Sequence, residues 1–210
     1  MKVFGRMGRV SRTVGAIAVL ALGLSACSSS VGVAATVGSE KITINQLQAS
    51  VNSINAERKV AALPADPKAA DLPRIQLRFF LLSALLHQAA AAYGITISPS
   101  EIAARRKAII DQLGGEAKLP NALANAGIAK ADFDLYLRDV TYEEKIGTAA
   151  APTAIAGTAG DQERGAAVQQ AVLTAGKKVK VTVNPRYGTW DANTADIIAV
   201  DTTGGAVKKK

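Results

Sequence analysis

The stretch of residues 73–93 constrains this chain most. Pro73 stands where a helix can begin, because it has no N–H to leave unpaired and its φ is already helical. Gly94 stands where a helix commonly ends. Between them, Phe79-Phe80-Leu81-Leu82-Ser83-Ala84-Leu85-Leu86 is apolar nearly all round, and such a helix needs neighbours on most of its sides. The apolar part, residues 79–93, is too short for a bilayer and carries Ser83, His87 and Gln88, with Arg78 before it. The reading is a central helix buried inside a helical domain, not a membrane span.

The flanking segments supply the neighbours. Residues 33–37 are a short β-prone run, Gly38-Ser39-Glu40 a turn, and Lys41-Ile42 extended chain again. Thr43 and Gln46 form a capping box, followed by Ile44, Leu47, Val51 and Ile54 on one stripe of a helix that ends near Val60. Ser98-Pro99-Ser100-Glu101 opens a third helix. Ile102, Ile109, Ile110 and Leu113 are expected on its buried face, and Arg105, Arg106 and Lys107 on its outer face. Residues 120–126 form a short helix stopped by Gly127, and residues 130–146 a longer one, with Phe133, Tyr136, Leu137 and Val140 on one side.

From Gly147 to Gly160 the composition falls to Ala, Thr, Gly, Pro and Ile, which reads as a linker. Residues 166–175 are a short helix, and Val179-Lys180-Val181-Thr182-Val183 alternates as a strand does. A lone short strand leaves its backbone unpaired, and both ends of the domain carry one. Strand 179–183 is therefore expected to pair with 33–37. The predicted fold class is mainly α, with a small β-sheet formed by N- and C-terminal strands.

The first residues speak to location. Lys2, Arg6, Arg9 and Arg12 precede an uncharged apolar run, residues 14–24, and then Leu24-Ser25-Ala26-Cys27. Positive charge before a run too short to span is the pattern of an export signal. The four residues at its end resemble a bacterial lipobox. That resemblance implies cleavage before Cys27, a diacylglycerol on the Cys27 thiol, and a lipid-anchored protein on the extracytoplasmic face of the cell membrane. The expected organisation is a signal peptide at 1–26, a tether at 27–32, a helical domain at 33–146, a linker at 147–160, a C-terminal helix and strand packing back at 161–192, and a weakly ordered basic tail at 193–210. Loss of the signal's four cations leaves 21 Lys and Arg against 17 acids, so the mature charge is +4. The tail Lys208-Lys209-Lys210 reads as a solvated end, with an anionic membrane or wall polymer as the alternative.

Composition removes several function classes. The mature chain has one Cys, assigned to lipid, and one His. Disulfides, a Cys/His protease and a zinc site of several His or Cys ligands lack their parts. Gly114-Gly115 reads as a helix end, not a phosphate loop, so no cofactor is expected. No basic–aromatic motif suggests nucleic acid. A Ser-His-Asp hydrolase would have to use His87, which on so apolar a helix is expected to be a packed or hydrogen-bonded residue. No catalytic residue is assigned.

Several pieces together resemble the N-terminal chaperone domain of the SurA/PrsA-type extracytoplasmic foldases. Val33-Ala34-Ala35-Thr36-Val37-Gly38-Ser39-Glu40-Lys41-Ile42-Thr43 is similar to the family's opening strand, turn and strand. Residues 77–97, with Tyr93-Gly94-Ile95, are similar to its central helix, and Ser98-Pro99-Ser100-Glu101-Ile102 to the start of the next. Leu123-Ala124-Asn125-Ala126-Gly127-Ile128, with Phe133 and Leu137-Arg138, is similar to its L-x-x-x-G-hydrophobic … F-x-x-x-L-R segment. The resemblance covers residues 33–146 and implies binding of unfolded, exported polypeptides. Many such foldases also carry a parvulin prolyl isomerase, inserted after the helical region and built on histidines. With His87 the only histidine, the resemblance carries over the chaperone role without the isomerase. The alternative is a structural or adaptor lipoprotein that binds one folded envelope partner; a broad apolar concavity would favour the first reading, a flat complementary patch the second.

Overall fold

A computed structural model describes residues 32–199 of the chain. The expected signal peptide, Cys27, the tether up to Val31 and the tail from residue 200 lie outside the described residues. The elements run β1 (Val33–Val37), β2 (Glu40–Thr43), α1 (Ile44–Val60), α2 (Leu72–Ala92), α3 (Pro99–Leu113), α4 (Leu119–Ala126), α5 (Phe133–Ala150), α6 (Thr158–Lys178), β3 (Val181–Val183), β4 (Thr189–Asp191) and β5 (Asp196–Ile198), with short 3-10 turns between some of them. The fold is mainly helical, with small antiparallel sheets from the two ends of the domain.

The central helix lies where its composition puts it. Leu77, Phe80, Leu81, Ala84 and Leu85 of α2 are buried, packed with Ala34, Ala35, Val37 and Ile42 of the sheet, Leu47 of α1, Ile146 of α5, and Ala171 and Ala175 of α6. α2 has the length and apolarity of a membrane span, and more than half of its most apolar window is buried inside this domain. Its end is a Schellman motif: Gly94 adopts φ +65°, Gly94 N donates to Ala91 O and Ile95 N to Ala90 O.

β1 is the middle strand of the sheet β2-β1-β3. Ala35, Thr36 and Val37 face Val183, Thr182 and Val181 in antiparallel register, and the Thr36 and Thr182 hydroxyls lie 2.6 Å apart. Gly38 N donates to Lys180 O and Asn184 N to Ala34 O, so both ends of the domain close one sheet as expected. α3, α4 and the first turns of α5 form a second small core, where Leu119, Leu123, Phe133 and Leu137 are buried and Ile102, Ile109, Ile110 and Leu113 pack on them.

Four expectations need correction. The linker expected at 147–160 shrinks to residues 151–157, because α5 continues to Ala150 and α6 begins at Thr158. Alanine favours helix whenever packing supports it, and the glycines serve close approach. A Cβ on Gly147 would stand 3.1 Å from Arg164 Cβ, and one on Gly160 would collide with the Ile155 carbonyl. The tail expected from residue 193 instead begins with a strand, since β5 pairs with β4 and Ile197 enters the main core. No residue of α3 is fully buried; its apolar face is only half covered. Arg105 and Arg106 do not simply face out either, because Arg105 pairs with Glu144 and Arg106 with Glu116 and Asp134.

Candidate functional site

Three helices share a cleft of about 1020 Å³. Each contributes one stripe at helical spacing: Ile75, Phe79, Leu82 and Leu86 from α2, Tyr136, Val140 and Glu143 from α5, and Val168 and Val172 from α6. Thr194 and Ala195 of the β4–β5 turn line it as well. The all-round apolarity of α2 thus has two uses. One face fills the core. The other, with Ile75 exposed and Phe79 and Leu82 half-buried, lines a cleft open to water. Half-covered apolar stripes beside polar walls make the cleft a candidate contact surface.

The wall charges of the cleft are mostly satisfied. Arg78 Nε lies 2.8 Å from Asp196 Oδ1, which ties α2 to β5. Arg164 lies 2.7 Å from Asp161 and donates to the Ala154 carbonyl at 3.0 Å. Glu144 is held by Arg105.

His87 belongs to a polar group between α2 and α5. Ser83 and His87 are one turn apart on α2, and both face Asp139, which is 8 % exposed. Ser83 Oγ donates to Asp139 Oδ1 at 2.9 Å, and His87 Nε2 lies 3.4 Å from the same oxygen. The imidazole stands edge-on to Tyr142, ring centroids 5.1 Å apart, and its Nε2 is buried without a hydrogen bond among the described residues. The His87 side chain is 28 % exposed, so it is packed but not sealed. A hydrolytic relay requires the imidazole between hydroxyl and carboxylate; here the carboxylate stands between hydroxyl and imidazole. The group clamps two helices and does not assemble a Ser-His-Asp relay.

Asp139 and Glu143 were not legible as a pair in advance. The signal was there, two i, i+4 pairs (Ser83 with His87, Asp139 with Glu143), but only the packing of α2 on α5 sets them face to face. Loss of water raises the Glu143 carboxyl above its ordinary pKa, and the charge of Asp139 adds to this. Among the described residues no group of three or more His, Cys, Asp or Glu side chains is arranged to hold a metal ion.

The junction at which a parvulin domain would be inserted, between α5 and α6, holds only residues 151–157. No curated protein and no solved structure matches the chain significantly. A family model does, over residues 10–147, and its description is the SurA-like N-terminal domain. With the opening hairpin, the central helix, α3, α4 and most of α5 lying within that span, the chain belongs to the SurA-like N-terminal domain family, a family of chaperone type.

Proposed function

We propose that the mature protein is a lipid-anchored extracytoplasmic holdase, which binds unfolded exported polypeptides in the α2–α5–α6 cleft without isomerising their prolyl bonds. The observation that carries this reading is the cleft itself. It lies at the top of the roughly 300–1,000 Å³ range of small-molecule pockets, and it is lined by half-covered Phe, Leu and Val side chains from three helices, with Ile75 exposed at its edge. Such a concavity suits several side chains of an extended chain. It favours a holdase over the adaptor alternative, which calls for a flat complementary patch. Anchoring through Cys27 would raise the local concentration of this cleft where clients emerge.

Dilution of a denatured client into buffer with and without the protein tests the reading by light scattering. Suppressed scattering at a few-fold molar excess is the expected result; unaffected scattering overturns it. A proline-peptide assay tests the second half. Uncatalysed exchange takes tens to hundreds of seconds, so any catalysis that survives His87→Ala would refute the absence of isomerase activity.

A further inference from the structure

Among the charged groups lining the cleft, two carboxylates have no Lys or Arg partner among the described residues: Asp139 and Glu143, one turn apart on α5. The other wall charges are engaged, Arg78 by Asp196, Arg164 by Asp161 and Glu144 by Arg105. Asp139 accepts Ser83 on Oδ1 only, with His87 beside that same atom. Its Oδ2 has no hydrogen bond among the described residues and is not sealed from water, so it opens on the cleft that the residue lines. Like charges one turn apart on a helix repel. A cation entering from the cleft would relieve that repulsion. Around the two acids the walls are apolar: Phe79, Leu82 and Leu86 on one side, Val140, Val168 and Val172 on the other.

A group that fits has a positive head on a long apolar stem and arrives between apolar neighbours. Lysine and arginine side chains have that form, since they bury their methylenes and keep the charged end polar. The mature chain carries a net charge of +4, so its overall field does not attract cations, and any preference for them must come from this local pair. We infer that the cleft selects polypeptide segments in which a lysine or arginine is flanked by apolar residues, with the cation between Asp139 and Glu143 and its neighbours on Phe79, Leu82 and Val168. The inference rests on the reading of the cleft as a polypeptide site.

Three fluorescent peptides, apolar apart from a central Lys, norleucine or Glu, test it by anisotropy with the full mature chain. The Lys peptide should bind best and the Glu peptide worst. A partly exposed ion pair predicts about a fivefold to tenfold spread, and added salt should narrow it. Asp139→Asn with Glu143→Gln should bring the three affinities together. Glu143→Gln alone, a change at the exposed rim, should narrow the spread and serves as the test should the double variant unfold. Equal affinities for all three peptides in the wild type, or an unchanged spread in Glu143→Gln, would overturn the charge preference and leave the polypeptide site standing. No binding of any peptide, with client scattering unaffected, would remove the polypeptide site and the preference together.

Discussion

Asp132 holds three helical segments together from a position just ahead of α5. It accepts the Ser50 hydroxyl of α1 and, at 3.3 Å, Gln76 Nε2 of α2; both partners are buried. Desolvation raises its pKa, and the Ser50 and Gln76 hydrogen bonds partly offset the shift. Asp132→Ala would leave two buried polar groups without a partner, at roughly 1–3 kcal/mol each. Asp132→Asn keeps an acceptor and removes a poorly solvated charge, so urea unfolding should place it within about 1 kcal/mol of the wild type. An Ala variant as stable as the Asn variant would show that the network contributes little. Glu101 behaves oppositely. Lys145 and then the Ser98 backbone amide hold its carboxyl at about 2, against an ordinary 4.5. A carboxyl lowered by folding contributes stability that is fully present above its unfolded value and lost as pH falls through its folded one. Thermal melts should therefore show Glu101→Gln less stable than the wild type above pH 4.5, with the gap closing as pH falls to about 2. A gap that does not change with pH would assign the effect to something other than this charge.

At the scale of elements, the C-terminal segment completes the fold. β3 covers the free edge of β1, Ile197 of β5 and Trp190 of β4 pack into the main core, and Arg78 reaches across to Asp196. Deleting everything after Gly176 removes all of these contacts. A buried isoleucine alone is worth about 1.5–3 kcal/mol, and a domain of this size loses roughly 2–4 °C per kcal/mol. A fall in Tm of at least about 5 °C is expected, together with faster exchange of the Gly38 amide, whose acceptor is Lys180 O. Unchanged protection of Gly38 in the truncated protein would contradict the pairing.

Gly32, last residue of the expected tether, already belongs to the fold, since its carbonyl accepts Ile44 N at 2.8 Å. Only a few residues therefore separate Cys27 from β1, and a chain spans at most about 3.5 Å per residue. With lipid on Cys27, the sheet would stay within about 20 Å of the bilayer. If Cys27 carries the lipid, Cys27→Ser would supply an oxygen in place of the thiol to be alkylated, so the variant should remain an uncleaved or soluble precursor. Growth of cells with a clickable fatty acid checks this: the wild type should take up label and the variant none. An unlabelled wild type would refute the anchor.

What the sequence determined by itself was local. The capping residues Thr43 and Ser98 sit at their helix starts, with hydrogen bonds to the N3 amides at 3.0 and 3.3 Å. Gly94 and Gly127 end their helices in positive φ. The all-round apolarity of residues 73–93 marked the central helix, and the unpaired runs at either end implied their own pairing. Such signals act through bonds a few residues long, or through an accounting of backbone donors that any fold must meet. Tertiary structure decided the rest. Gly147 and Gly160 read as linker until α5 and α6 are packed, because a missing Cβ permits flexibility and close approach alike. The cleft, and the meeting of Asp139 with Ser83 on its wall, depends on how α2, α5 and α6 cross. Crossing is set by the summed packing of side chains far apart in the chain, and no local spacing encodes it.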